Sequence, residues 1–293
     1  MQGVMIINGF LNSSKFTEIY EWLSAAAKRH EIALSVHTNT EILARAEQAG
    51  IFNESFLDGA DFVLFWDKDV FLARTLEAMG YRLFNCADAI GACDNKAETF
   101  FRLRGAGIRM PETVMVPQTF SNIGYTDDTF LDVAEQRFQY PFVVKECFGS
   151  FGAQVYMAQN RESVKEILNR TSGRPVIFQE LVETSFGKDI RIQMTGGKVT
   201  ATMMREHDSD FRANVTNGGT MRKYTPTKEQ VHMAEEVCRI LKLDFGGVDI
   251  LFGKDGEPVL CEVNSNAHFK NIFDCTGINA ADAVMEHIRN AVS

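Results

Sequence analysis

Apolar positions in the first part of the chain alternate between two periods. The stretches "VMIIN", "IALSVH" and "DFVLFW" are short apolar runs, as strands of a covered sheet require. Between the first two, Phe16, Ile19, Tyr20 and Leu23 recur at helical spacing, with Ser13 or Ser14 as the N-cap. "LARTLEAMG" is a second helical pattern and ends at Gly80. Strands that alternate with helices predict a parallel sheet, so this end reads as α/β. No G-x-G-x-x-G follows the first strand, so nothing there supports a dinucleotide site.

The pattern then changes. A helix is expected from about Asp94, packing Ala97, Phe100, Phe101 and Leu103. Residues 110–139 are more polar, contain Pro111, Pro117 and "SNIGYTDD", and read as linker and surface loops. Next come a strand "PFVVKE", a glycine loop "CFGSFG" and a strand "AQVYMA". A helix over residues 162–169 presents Val164, Ile167 and Leu168, and "VIFQELV" is a further strand. "DIRIQMT" and "KVTATMM" flank Gly196-Gly197, a hairpin signature. Thr227 and Gln230 form a capping-box pair ahead of Val231, Ala234, Cys238 and Leu241.

Residues 246–266, "GGVDILFGKDGEPVLCEVNSN", predict a last hairpin turning at Asp255-Gly256. A two-residue turn there makes Val248 face Val263, Ile250 face Cys261 and Phe252 face Val259, an apolar face for a core. The opposite face pairs Leu251 with Leu260 and Asp249 with Glu262. Like charges so placed destabilise a sheet. A shared proton, a basic partner or a metal ion would relieve them. Asn264 lies two residues past Glu262 and projects from the same face. Three hard oxygen donors without sulfur or imidazole suit Mg²⁺, which is commonly held by carboxylates together with substrate phosphates.

Composition narrows the partners. The 293 residues carry a net charge of −9, which argues against a broad nucleic-acid surface but not against a local anion pocket. No apolar run approaches the ~20 residues that span a bilayer, and "MQGVMIING" reads as a first strand rather than a leader. Six scattered cysteines without a C-x-x-C pair suit free thiols in a reducing cytoplasm. Cations and small residues fit an anion near the carboxylates. Lys145 precedes Gly149 and Gly152, whose backbone amides can approach phosphate oxygens. "MREHDSDFRAN" supplies Arg205, Arg212 and Asn214, the two arginines as clamps for phosphoryl oxygens.

Taken in order, "FNCADAIGACDNKAETFFRLRGAGIRMPET", "FVVKECFGSFGAQV", "FQELVETSFGKDIRI", "MREHDSDFRANVTNGG", "GVDILF" and "CEVNSN" resemble ATP-grasp enzymes. Within that superfamily the chain is most similar to the RimK-like amino-acid (alpha-L-glutamate) ligases. The resemblance implies an ATP-grasp fold of α+β lobes behind an N-terminal strand-helix domain. The implied units are residues 1–90, a small lobe over 91–175 and a C-terminal lobe over 176–293. It further implies ATP between two lobes, with Lys96 and Lys145 on the phosphates and Glu180 and Leu181 at the adenine. Asp189 then lies near the ribose, and Arg212 and Asn214 contact phosphates. Asp249, Glu262 and Asn264 become ligands of two Mg²⁺ ions (Mn²⁺ as substitute), and Arg205 stands beside an acyl phosphate. The Gly149–Gly152 loop would close over the nucleotide.

The implied reaction joins a small-molecule or peptide carboxylate to an amino acid, releasing ADP and phosphate. The implied protein is cytoplasmic, with a homodimer or homotetramer as its assembly and neither nucleic acid nor membrane as partner. The alternatives are another ATP-grasp ligase, acting on a D-amino acid or another carboxylate, and a nucleotide-binding regulator without turnover. One departure stands out. Where relatives continue with a small residue and Pro-Gly, this chain reads Ser265-Asn266-Ala267-His268-Phe269-Lys270.

Overall fold

The computed structural model describes residues 1–215 and 218–293, so Thr216 and Asn217 of "MREHDSDFRANVTNGG" lie outside the described residues. The chain begins with β1 (Gln2–Ile7), α1 (Ser14–Arg29), β2 (Ala33–Thr38), β3 (Phe62–Trp66), α2 (Val70–Ala78) and β4 (Leu83–Phe84). These four strands pair in parallel in the order β2-β1-β3-β4, as the alternating pattern requires. β3 is buried along its whole length, which explains its unbroken apolar run.

Two helices follow, α3 (Ala87–Asp94) and α4 (Lys96–Leu103), the first of them not anticipated. The Asn95 side chain caps α4 by accepting from the N–H groups of Ala97 and Glu98. Phe100 and Leu103 are buried, but Phe101 points outward at 48% exposure, against expectation. An eight-residue helix has one narrow inward stripe, and Phe101 is off it.

The second sheet holds β5 (Thr113–Met115), then, after α5 (Thr129–Glu135), β6 (Phe142–Glu146) and β7 (Val155–Ala158). α6 (Arg161–Thr171) leads to β8 (Val176–Gln179). Their order is β5-β8-β6-β7, all antiparallel. β5 and α5 overturn the reading of residues 110–139 as linker and loops. Leu131 and Ala134 from α5 join Phe142, Val144 and Phe178 in a core.

The third sheet contains β9 (Lys188–Thr195), β10 (Lys198–Glu206) and β11 (Thr220–Lys223). After α7 (Lys228–Leu241) come β12 (Phe245–Phe252) and β13 (Pro258–Asn264), and the chain finishes with α8 (Lys270–Thr276) and α9 (Ala280–Val292). The order is β11-β10-β9-β12-β13. Gly196 and Gly197 turn β9 into β10 with φ of +57° and +72°, as the two-residue hairpin demands. Thr227 and Gln230 form the expected capping box on α7. One core takes Met5, Leu23 and Leu64 from the first sheet's layer and Met203, Phe245, Val284 and Met285 from the third's.

The β12–β13 hairpin departs from the two-residue turn. Its loop has three residues, Lys254–Gly256, closed by the Gly253 N–H donating to the Glu257 carbonyl at 2.8 Å. Phe252 therefore faces Pro258, Leu251 faces Val259 and Ile250 faces Leu260, each one residue off the expected partner. A β-bulge then absorbs the extra residue at Cys261, and Asp249 faces Glu262 as expected. The bulge sends Leu260 into the core with Ile250 and Val263, and Cys261 into the cavity wall.

Candidate active site

Asp249 sits on a central strand, between Glu262 of β13 and Arg191 of β9. Arg191 donates from Nε and Nη2 to its two oxygens at 2.7 and 2.6 Å. Arg205, across β9 on β10, adds a contact from Nη2 to Oδ2 at 2.9 Å. Arg205 also grips both oxygens of Asp189, from Nε at 2.6 Å and from Nη2 at 2.8 Å. The result is a buried row, Arg191–Asp249–Arg205–Asp189. Of the three devices that relieve facing carboxylates, the protein itself therefore supplies the basic partner.

Burial pushes the Asp249 carboxyl up, but Arg191 and Arg205 outweigh it and hold it at about 2. Burial prevails at Asp189, helped by the charge of Asp249, and raises its pKa despite Arg205. Burial opposes the charge on Arg205, yet the two carboxylates raise its pKa well above the ordinary value.

Arg191 was not among the residues singled out from the sequence, although a signal existed. Strand alternation puts Asp189, Arg191 and Gln193 on one face of "DIRIQ". Gly247 makes room for it: a Cβ there would lie 2.7 Å from Ala267 Cβ and 3.4 Å from Arg191 Nε.

Glu262 has a different setting. Asn264 Nδ2 donates to its Oε1 at 3.0 Å. Burial raises its pKa, but Lys96, at the start of α4, leads the opposing influences and the net shift is downward. No protein group bonds Oε2 of Glu262 or Oδ1 of Asn264 among the described residues. These are hard oxygen donors on a cavity wall, and they fit Mg²⁺ as they stand. Asp249 fits only by loosening a guanidinium. Among the described residues, no cluster of three or more His, Cys, Asp or Glu is placed to hold a metal ion, so such an ion would take its other ligands from phosphate or water.

The predicted residues gather around three adjoining cavities, and Glu262 lines all of them. In the first, Lys145 and Gly152 stand on the side of the second sheet, with Glu180 and Leu181 just past the end of β8. Asp189, Arg205, Arg212, Asn214 and Asp249 line the rest of its wall. Lys96, Gly149 and Asn264 line the second. The third, about 330 Å³, adds Lys15, Trp66, Asp67, Arg191, Asn266 and His268 to Arg205, Glu262 and Asn264. No predicted site residue lies elsewhere. What the sequence did not reveal is this third cavity, whose walls come from the loop after β1, α1, the end of β3, β9, β10, β13 and the segment after β13.

The glycine loop is tied down on both sides. Gly149 and Gly152 adopt φ of +140° and +74°, conformations that favour glycine. Arg212 Nη1 donates to the Gly152 carbonyl at 3.0 Å. Lys15 Nζ lies 3.4 Å from the centre of the Phe151 ring, a cation–π contact. No helix is long and apolar enough to cross a membrane among the described residues.

The fold matches ATP-grasp ligases over its whole length. PsnB, an ATP-grasp ligase complexed with minimal precursor, Mg and ADP, aligns with a TM-score of 0.69 at 15% identity over 99% of this chain and 98% of that one. D-alanine–D-alanine ligase from Bacillus anthracis complexed with ATP aligns at 0.70 and 18% identity, over 100% and 97%. These likenesses establish the fold, that of the ATP-grasp enzymes.

The family is narrower. The RimK-like ATP-grasp domain matches residues 94–288, and the chain belongs to that family. An uncharacterized protein of Mycoplasma pneumoniae is 28% identical over 88% of both chains. Human N-acetylaspartylglutamate synthase A is 37% identical over 69% of this chain, and this chain spans 51% of its length. A probable alpha-L-glutamate ligase of Maridesulfovibrio salexigens is 32% identical over 74% of this chain and 70% of its own.

Proposed function

We propose that this protein is an ATP-dependent carboxylate–amine ligase that works through an acyl phosphate, with glutamate or another amino acid as the amine. The observation that carries the reading is the place of Glu262, at the meeting of three cavities, ionised and with one oxygen free. The first cavity holds ATP, its adenine at Glu180 and Leu181, its ribose toward Asp189 and its phosphates toward Lys145, Lys96, Arg212 and Asn214. Glu262 and Asn264, joined by Asp249 once a guanidinium loosens, would hold two Mg²⁺ ions, for which Mn²⁺ can substitute. When bound, the ions would supply positive charge to the phosphates. The chain's own part is to align the reactants, neutralise charge with Lys145, Arg205 and Arg212, and keep water out by closing the Gly149–Gly152 loop.

A carboxylate oxygen of the first substrate bonds to the γ-phosphorus while the bond to the ADP oxygen breaks. The amine then bonds to the activated carbonyl carbon, and phosphate leaves. The units proposed are residues 1–90, 91–175 and 176–293, with the first and last enclosing the substrates and the middle one covering the nucleotide. The protein is proposed to act in the cytoplasm as a homodimer or homotetramer.

The test is a phosphate-release screen of candidate carboxylates against L-glutamate and other amino acids. It begins with N-acetylaspartate and L-glutamate, which the name of one relative joins. Hydroxylamine added in place of the amine should trap the acyl phosphate as a hydroxamate with one ADP per product. Stoichiometric AMP would sink the reading.

A further inference from the structure

His268 and Asn266 belong to the segment between β13 and α8. Both line the third cavity, together with Arg191, Arg205, Glu262 and Asn264. The His268 Nε2 lies within hydrogen-bonding distance of the Lys15 carbonyl. A carbonyl can only accept, so Nε2 carries the hydrogen and the neutral ring keeps its lone pair at Nδ1. No protein group bonds Nδ1 among the described residues. Edge-on packing against Phe16, with ring centres 6.1 Å apart, holds the ring in place. Burial leads in lowering the imidazole pKa, and the cations of Lys15 and Arg191 add to it. The Lys15 carbonyl and the Glu18 carboxylate act the other way but do not reverse the shift. The ring is therefore neutral at pH 7.

Asn266 offers a second acceptor. Its Nδ2 donates to the Asp67 carbonyl at 2.7 Å, which turns the amide, and its Oδ1 is buried without a hydrogen-bond partner. A buried orphan acceptor is costly unless a ligand satisfies it. A bare Nδ1 in the cavity beside the proposed activation site, with a buried orphan acceptor in the cavity wall, calls for a group rich in N–H.

We propose that His268 is the general base of the second half-reaction and takes a proton from the ammonium of the amine substrate, which Asn266 Oδ1 orients. This rests on the ligase reading above. The step balances. The ammonium gives one proton to Nδ1 and its nitrogen bonds to the acyl carbon. The bond from carbon to the phosphate oxygen breaks, a second proton ends on the departing phosphate, and the third stays on the amide. The imidazolium returns its proton to water.

The experiment compares wild type with His268→Gln, using the carboxylate that gives a hydroxamate in the screen and L-glutamate as the amine. Hydroxylamine is a weakly basic nucleophile and arrives neutral, so it needs no base. The variant should lose amide synthesis on the order of 100-fold, as loss of general-base catalysis does, and hydroxamate synthesis at least ~10-fold less than that. Its amide rate should climb with pH well past the point where the wild type levels off. Equal loss of both products would mean a structural role and overturn the proposal. So would an Nδ1 found protonated at pH 8 in nitrogen-15 spectra of the histidines. If wild type makes no hydroxamate with any carboxylate, the ligase reading itself has failed and this inference falls with it.

Discussion

Asp249 and Glu262 face each other across one hairpin, yet they do different work. Asp249 is a charge used by the fold: two guanidiniums cover its oxygens, and its pKa falls to about 2. Glu262 is a charge offered to a ligand: Asn264 bonds one oxygen, and the other opens toward the cavities. The difference comes from neighbours rather than from the hairpin. β9 flanks Asp249 and brings Arg191, whereas β13 is the last strand of its sheet and leaves Glu262 facing α4 and the cavities.

The sharpest way to break that comparison is Asp249→Asn. It strips a counter-charge from Arg191 and Arg205, whose side chains are only 13% and 5% exposed. Breaking a buried pair from one side costs ~3–5 kcal/mol, so a large drop in chemical-denaturation stability is expected. The effect should depend on pH. The folded pKa of Asp249, about 2, lies below the ~3.9 of an unfolded aspartate, so its ionisation adds stability above pH ~4. That stability is lost as pH falls toward 2. The gap between variant and wild type should therefore narrow over that interval. Asp189, raised rather than lowered, carries the opposite sign, and Asp189→Asn should cost clearly less. If the two variants destabilise equally, the row of alternating charges is not what stabilises this region.

Glu262→Gln comes next. The change keeps size and shape and removes a charge that burial and Asp249 oppose while Lys96 and Asn264 favour it, so the effects on folding largely offset. Melting temperature should change little, while turnover falls on the order of 100-fold, the scale for losing one electrostatic contact to a transition state. Near-normal ligation at saturating ATP and Mg²⁺ would remove Glu262 from the reaction.

The comparison was half legible in the sequence. Counting from Asp255-Gly256 found the facing pair, although the loop is one residue longer than assumed. The count survived because the bulge at Cys261 restores the register before Asp249. Nothing local marks that bulge: no glycine interrupts "PVLCEV", and the cause is tertiary, with Leu260 drawn into the core. The Arg191 contact needed the knowledge that β9 lies beside β12, which a pattern of periods does not contain. The third cavity was hidden for the same reason, since Lys15, Asp67 and His268 meet only through the packing of the first and third sheets. α5 was missed because polar flanks dilute a seven-residue pattern with only two buried positions, Leu131 and Ala134.

Lys145 extends the comparison to a cation and carries the smallest expected effect. It is the next-to-last residue of β6, at 6% exposure. Among the described residues it forms no ion pair, and its Nζ lies 4.0 Å from Cys261 Sγ. A buried ammonium without a counter-charge costs folding energy, and such a cost persists where function needs the charge. Lys145→Ala should therefore melt no lower than wild type in the absence of nucleotide. A charge-assisted hydrogen bond contributes ~1.5 kcal/mol at the lower end of its range, so ADP affinity should fall about tenfold. Calorimetric titration measures the affinity directly. Thermal shift reads the same change as a smaller stabilisation by ADP, because the shift grows with the logarithm of ligand concentration over Kd. Unchanged affinity would move the phosphates elsewhere. A lower melting point in the nucleotide-free variant would place Lys145 with Asp249, as a charge the fold itself consumes, rather than with Glu262.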